Sequence, residues 1–147
     1  KAGFIGLILH TSFPALSQPP IPVKQFAADK PFIFTRFSSK TSCSLTDLAA
    51  IFQKVVDDSI AITIAGTYTL HGLIVEKLDR GEATSINVRL TDFPRAIFNL
   101  SMQHDPSGLE TITGRVVDPG SGDVLILSRI NNSYFFIKEL QKHFMTE

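Results

Sequence analysis

The chain has 147 residues, 44% of them hydrophobic, and its 14 basic residues are balanced by 14 acidic ones. That length sets one domain as the starting expectation, and the apolar share is enough to build a core, here rich in Phe and without Trp. The balanced charge, with no clustered basic patch, leaves nucleic acid without an electrostatic footprint; a single cysteine, Cys43, excludes an intramolecular disulfide.

The first segment, KAGFIGLILHTSFPALSQPP, supports two readings. Lys1, the apolar run Ala2 to Leu9, and the small residues Ala15 and Ser17 form the pattern of a secretory signal cut before Gln18. The run is too short to span a bilayer, which takes about 20 apolar residues. In the other reading Phe4 to Leu9 is a buried strand and the protein is cytoplasmic. The next residues, QPPIP, favour the signal, because prolines lock φ and cannot donate to a ladder. The expected organisation is a signal peptide over 1–17, a Pro-rich spacer with a short extended segment over 18–43, and a single α+β domain over 44–147. It implies an exported protein (periplasmic, cell-surface or secreted) with no stable membrane span.

In SLTDLAAIFQKVVDD, Leu45, Leu48, Phe52, Val55 and Val56 recur at helical spacing. Ser44 suits an N-cap and Asp47 the positive end of the helix dipole. The segment predicts an amphipathic helix of about three turns that packs one face on the core. Beyond residue 59 the period drops to two. Tyr68, Leu70 and Ile74 alternate with polar neighbours, as do Ile86, Val88 and Leu90, then Phe98, Leu100 and Met102, then Ile112 and Val116. Val124 to Leu127 and Tyr134 to Ile137 are apolar on both faces, which predicts strands covered on both sides. DRGEA, QHDPSGLE, DPGSGD and INNS carry the chemistry of turns between antiparallel neighbours. KELQKHFM reads as a short C-terminal helix. The expected fold is α+β: an antiparallel β-meander of five or six strands packed on one N-terminal amphipathic helix. A small OB-like barrel is the alternative.

The strand half carries a recognisable set of short motifs. They are Gly72, Ser85 to Arg89, Ala96 to Ser101, Thr113 to Val116, Gly122 to Leu127 and Tyr134 to Lys138. In this it resembles a group of short exported proteins of Bacteroidota-type bacteria. The resemblance runs from Ser44 to the C-terminus, and ALSQ near the start fits it as well. It implies export and a strand-rich fold. It carries no assigned activity and no functional residue.

Chemistry-bearing residues are sparse. His10, His71, His104 and His143 form no paired spacing and Cys43 stands alone, so no metal or other cofactor is expected. His104, Asp105 and Ser107 have the composition of a triad, but they share one hairpin loop, whereas a triad usually draws its members from separate elements. DPGSGD is Gly-rich yet leads into a strand rather than a helix, which makes it a turn and not a phosphate cradle. Asn99-Leu-Ser101 and Asn131-Asn-Ser133 match the glycosylation pattern.

The best candidate is a surface. If the strands pair in order, Asn87, Arg89, Asn99, Ser101, Thr111, Thr113 and Arg115 share the outward face of three neighbouring strands. Amide, hydroxyl and guanidinium groups with few carboxylates suit a glycan, a peptide backbone or an acidic partner; the competing reading is a plain solvated sheet face. The expected function is that of an exported, non-catalytic domain that binds a protein or surface polymer. Two alternatives stand beside it: a protease-inhibitory or pro-segment-like module that adds a strand to an edge, and a small hydrolase using the His104 loop. Partner identity and oligomeric state stay open at this level.

Overall fold

A computed structural model describes residues 30–143. In chain order the elements are β1 (Lys40–Cys43), α1 (Leu45–Ile51), β2 (Ser59–Ile64), β3 (Tyr68–Asp79), β4 (Ala83–Leu90), β5 (Ile97–His104), β6 (Glu110–Val117), β7 (Asp123–Ile130) and β8 (Ser133–Leu140). A 3₁₀ turn, Gln141–His143, follows. Each strand pairs antiparallel with the next. β8 then returns to β1, from Lys40 opposite Ile137 to Cys43 opposite Tyr134, and closes an eight-stranded barrel.

This overturns the expected α+β meander on a helix, and the OB-like alternative with it. Two strands hide from periodicity. β1 is only KTSC, too short and polar to show alternation. β2, SIAITI, alternates well, with Ile60, Ile62 and Ile64 all buried, but it lies directly against the helical pattern before it. With both added, the sheet has enough strands to bury its apolar face against itself, and no covering helix is needed.

The inward residues follow the period of two: Leu70 and Ile74, Ile86, Val88 and Leu90, Phe98, Leu100 and Met102, Leu125 and Leu127, Tyr134 and Phe136. Phe98 and Phe136 meet edge to face at 5.5 Å in this interior. Each such side chain is worth about 1.5–3 kcal/mol when fully buried. The interior is a packed core.

Helix α1 plugs one end of the barrel. The Ser44 hydroxyl accepts from the Asp47 N–H as N-cap, and Leu48, Ile51 and Phe52 are buried. The helix stops well before Asp57, and Val55 and Val56 are exposed, contrary to the longer amphipathic face expected. Lys77 helps end it, its ammonium donating to the Phe52 and Lys54 carbonyls at 2.7 and 2.8 Å. The expected C-terminal helix is also corrected: KEL belongs to β8 and only the 3₁₀ turn follows, with residues 144–147 outside those described. No helix among the described residues is long and apolar enough to cross a membrane.

The opposite end is closed by a strap, residues 30–39, that inserts Phe34 and Phe37 against Phe93, Tyr68 and Phe136. The buried carboxylate of Asp123 accepts from the Ile33 and Phe34 N–H groups at 3.0 and 3.1 Å and from the Ser121 hydroxyl. Lys138 donates to the Phe37 carbonyl at 2.6 Å. DPGSGD is therefore a clasp as well as a turn. The later part of the segment read as a spacer contributes the strap and β1, while the signal-peptide reading of 1–17 lies outside the described residues.

Cys43 faces the interior from β1. Burial, with the nearby Asp47 charge, pushes its thiol from 9.0 up to about 12. Since the thiolate is the reactive form, the native protein at pH 8 should react with a disulfide reagent about a thousandfold more slowly than the unfolded chain. The neutral thiol is favoured in the folded state, so stability should decline as pH rises from about 9 toward 12. Cys43→Ala should flatten that decline in urea melts, and an unchanged slope would remove Cys43 as its source.

Candidate functional site

The register of β4, β5 and β6 aligns two outward rows. Asn87, Asn99 and Arg115 form one, and Ser85, Ser101 and Thr113 the other. Together with Ile126 of β7 they line a shallow groove of about 430 Å³ on the barrel's outer wall. All seven residues singled out from the sequence lie on these three strands, and Asn87, Asn99, Ser101, Thr113 and Arg115 line the groove itself. Arg89 lies to one side, between Leu73 and Ile97, and Thr111 to the other, opposite Gln103.

The groove has a cause in the sheet. The ladder between β6 and β7 runs only from Gly114–Val117 to Val124–Leu127. Above it, the Ile112 N–H turns to the Tyr134 hydroxyl at 3.1 Å. The wall is therefore incompletely sealed beside Thr113 and Gly114. Gly114 is required on its other side: a Cβ there would lie 2.7 Å from the Asn99 carbonyl oxygen and 3.1 Å from both Phe98 and Leu100. Those contacts leave no room for alanine without moving β5 and β6 apart.

A hydrogen-bonded chain crosses the groove. Asn99 Nδ2 donates to Asn87 Oδ1 at 2.6 Å, and Asn87 Nδ2 donates in turn to the carboxylate of Glu76. Sequence reasoning missed Glu76 because alternation from Ile74 points it inward. A bulge between Ile74 and Glu76 shifts the parity and sets Glu76 opposite Asn87 on the outer wall. Ile126 was missed too, as part of a run read as covered on both faces. Arg115 is exposed and has no ion-pair partner among the described residues.

The other candidates are not assembled in the same way. His104 Nδ1 lies 3.4 Å from Glu110 across the hairpin. The Ser107 N–H donates to the Asp105 carboxylate at 2.7 Å, which holds that carboxyl below its usual range. His104, Asp105 and Ser107 thus build a turn, and no hydrogen bond joins His104 to Ser107 among the described residues. No group of His, Cys, Asp and Glu among the described residues is placed to hold a metal ion. Among the described residues every strand has a neighbour on both sides, so none of β1 to β8 is offered whole as a free edge for strand addition. Of the two glycosylation patterns, Asn99 is engaged in the amide chain, whereas Asn131 and Ser133 are exposed at the β7–β8 turn.

No family model, curated protein or solved structure matches the chain.

Proposed function

We propose that this protein is an exported, non-catalytic binding domain whose binding surface is the groove across β4, β5 and β6. The observation that carries the reading is the meeting of five of the expected residues in one depression of the barrel wall, among them an exposed Arg115 with no ion-pair partner among the described residues. Two amides, several hydroxyls and one guanidinium converge there, and the Glu76 carboxylate that holds Asn87 stands outside the lining given by the described residues. Such a set recognises anionic and hydroxyl-bearing groups of a protein or surface polymer. Export is supported by the apolar N-terminal pattern and by the resemblance described above.

Retention of the full chain on beads carrying polyglutamate or polygalacturonate tests the groove. Arg115→Ala should weaken retention by at least about tenfold, as expected for loss of a charge-assisted hydrogen bond. Arg89→Ala, outside the groove, should weaken it less. Both variants should keep wild-type stability within about 0.5 kcal/mol, because exposed charges contribute little to folding. The difference between wild type and Arg115→Ala should shrink as salt rises, since screening acts over about 8 Å at physiological ionic strength. Retention unaffected by Arg115→Ala would reduce this face to solvated sheet.

A further inference from the structure

Resting on that reading of the groove, we infer that its ligand is a carboxylate-bearing saccharide, a uronic-acid polymer, and that Glu76 is the positioning residue that sets the groove's polarity. A carboxylate accepts hydrogen bonds and cannot donate them, so Asn87 must turn its Nδ2 toward Glu76. That leaves Asn87 Oδ1, which also only accepts, and Asn99 must meet it with its own Nδ2. Neither amide can flip without placing oxygen against oxygen. The Asn99 side-chain Oδ1 is what remains for the far side of the row, where Arg115 is the cross-strand neighbour of Asn99. Glu76 thereby holds a directed row: carboxylate, amide, amide, guanidinium.

A ligand seated beside Asn99 and Arg115 meets an acceptor next to a cationic donor. It must offer a hydroxyl donor close to an anionic acceptor, as a uronate ring does. An acidic side chain brings acceptor oxygens alone, so a peptide would need a backbone N–H in register beside it to pair the Asn99 Oδ1, whereas a uronate ring carries its hydroxyl donors next to its carboxylate. The neighbouring hydroxyls of Ser85, Ser101 and Thr113 both donate and accept, which suits the remaining ring hydroxyls. Charge separates the two ends of the row: Arg115 has no counter-charge among the described residues, and Glu76, which keeps its negative charge, stands three strands away beyond Asn87 and Asn99.

The test is calorimetric titration of the full chain with oligomers of galacturonate, glucuronate and mannuronate, their neutral carboxyl-reduced counterparts, and polyglutamate of matched charge. At least one oligouronate should bind, with its reduced counterpart at least about tenfold weaker and Arg115→Ala weaker to the same degree. Glu76→Gln should lower affinity for that oligouronate and collapse the distinct side-chain amide NMR signals of Asn87 and Asn99. Glu76→Asp, which keeps a carboxylate, should restore those signals at least in part. Polyglutamate binding as tightly as the uronates, in an Arg115-dependent way, overturns the saccharide and leaves the groove standing. Uronate binding that survives Arg115→Ala overturns both readings. No binding by any oligouronate overturns the saccharide, and unaltered amide signals in Glu76→Gln overturn the positioning role.

Discussion

A chain that begins at residue 44 should not fold. Such a chain lacks β1 and the strap, so the barrel stays open between β2 and β8. It also lacks Phe34 and Phe37, which are 0% and 3% exposed and fill one end of the interior. Removing a buried Phe costs about 3–5 kcal/mol, so the two together cost about 6–10 before the lost ladder is counted. Typical domains hold only about 5–15 kcal/mol in total. Two newly free strand edges would add a tendency to aggregate. Circular dichroism and a proton–nitrogen correlation spectrum read the outcome. A well-dispersed spectrum from residue 44 onward would show that closure is dispensable, and would restore the domain limits that periodicity suggests.

Asp123→Asn should cost about 2–4 kcal/mol, measured by urea unfolding. The carboxylate serves the Ile33 and Phe34 N–H groups and the Ser121 hydroxyl in a site that is 3% exposed. Hydrogen bonds to a charged group contribute about 1.5–3 kcal/mol, and a buried donor left without a partner costs about 1–3. An asparagine keeps one acceptor but sets an NH₂ against a second donor. Asp118 gives the contrast. It accepts from the Gly120 N–H at 2.7 Å, but its ion-pair partner Arg95, at 3.3 Å, is largely exposed. Asp118→Asn can keep the first bond and lose only a screened pair, so its cost should stay near 1 kcal/mol. A loss under about 1 kcal/mol for Asp123→Asn would mean that the aromatic side chains alone hold the strap.

Much of this barrel is legible in the sequence, and the gaps have physical origins. The alternation in β4, β5 and β6 places Asn87, Asn99 and Arg115 outward, and the observed register brings them into one row. Closure was not legible, because it depends on pairing KTSC with YFFI across all the intervening strands, and nothing local encodes that contact. The helix was legible in kind but not in length. Val55 and Val56 continue its apolar spacing, yet the chain leaves the helix after Ile51, and Lys77, distant in sequence, binds the carbonyls beyond it. Glu76 was invisible for a different reason: one extra residue in β3 inverts which side chains face out, and alternation has no means of announcing a bulge. The DPGSGD loop was legible as a turn, but its hold on the strap depends on residues about ninety positions away.

The central claim is that binding occurs on the outer wall of β4, β5 and β6. The most direct measurement is a titration of the isotope-labelled full chain with oligouronate, followed through backbone amides, the Asn87 and Asn99 side-chain amides and the Arg115 Nε–H. Saturable shifts should centre on Asn87, Asn99, Thr113 and Arg115, with α1, the strap and the β7–β8 turn unmoved. Saturable shifts centred on α1, the strap or the 104–110 hairpin, with those four residues unmoved, would contradict it.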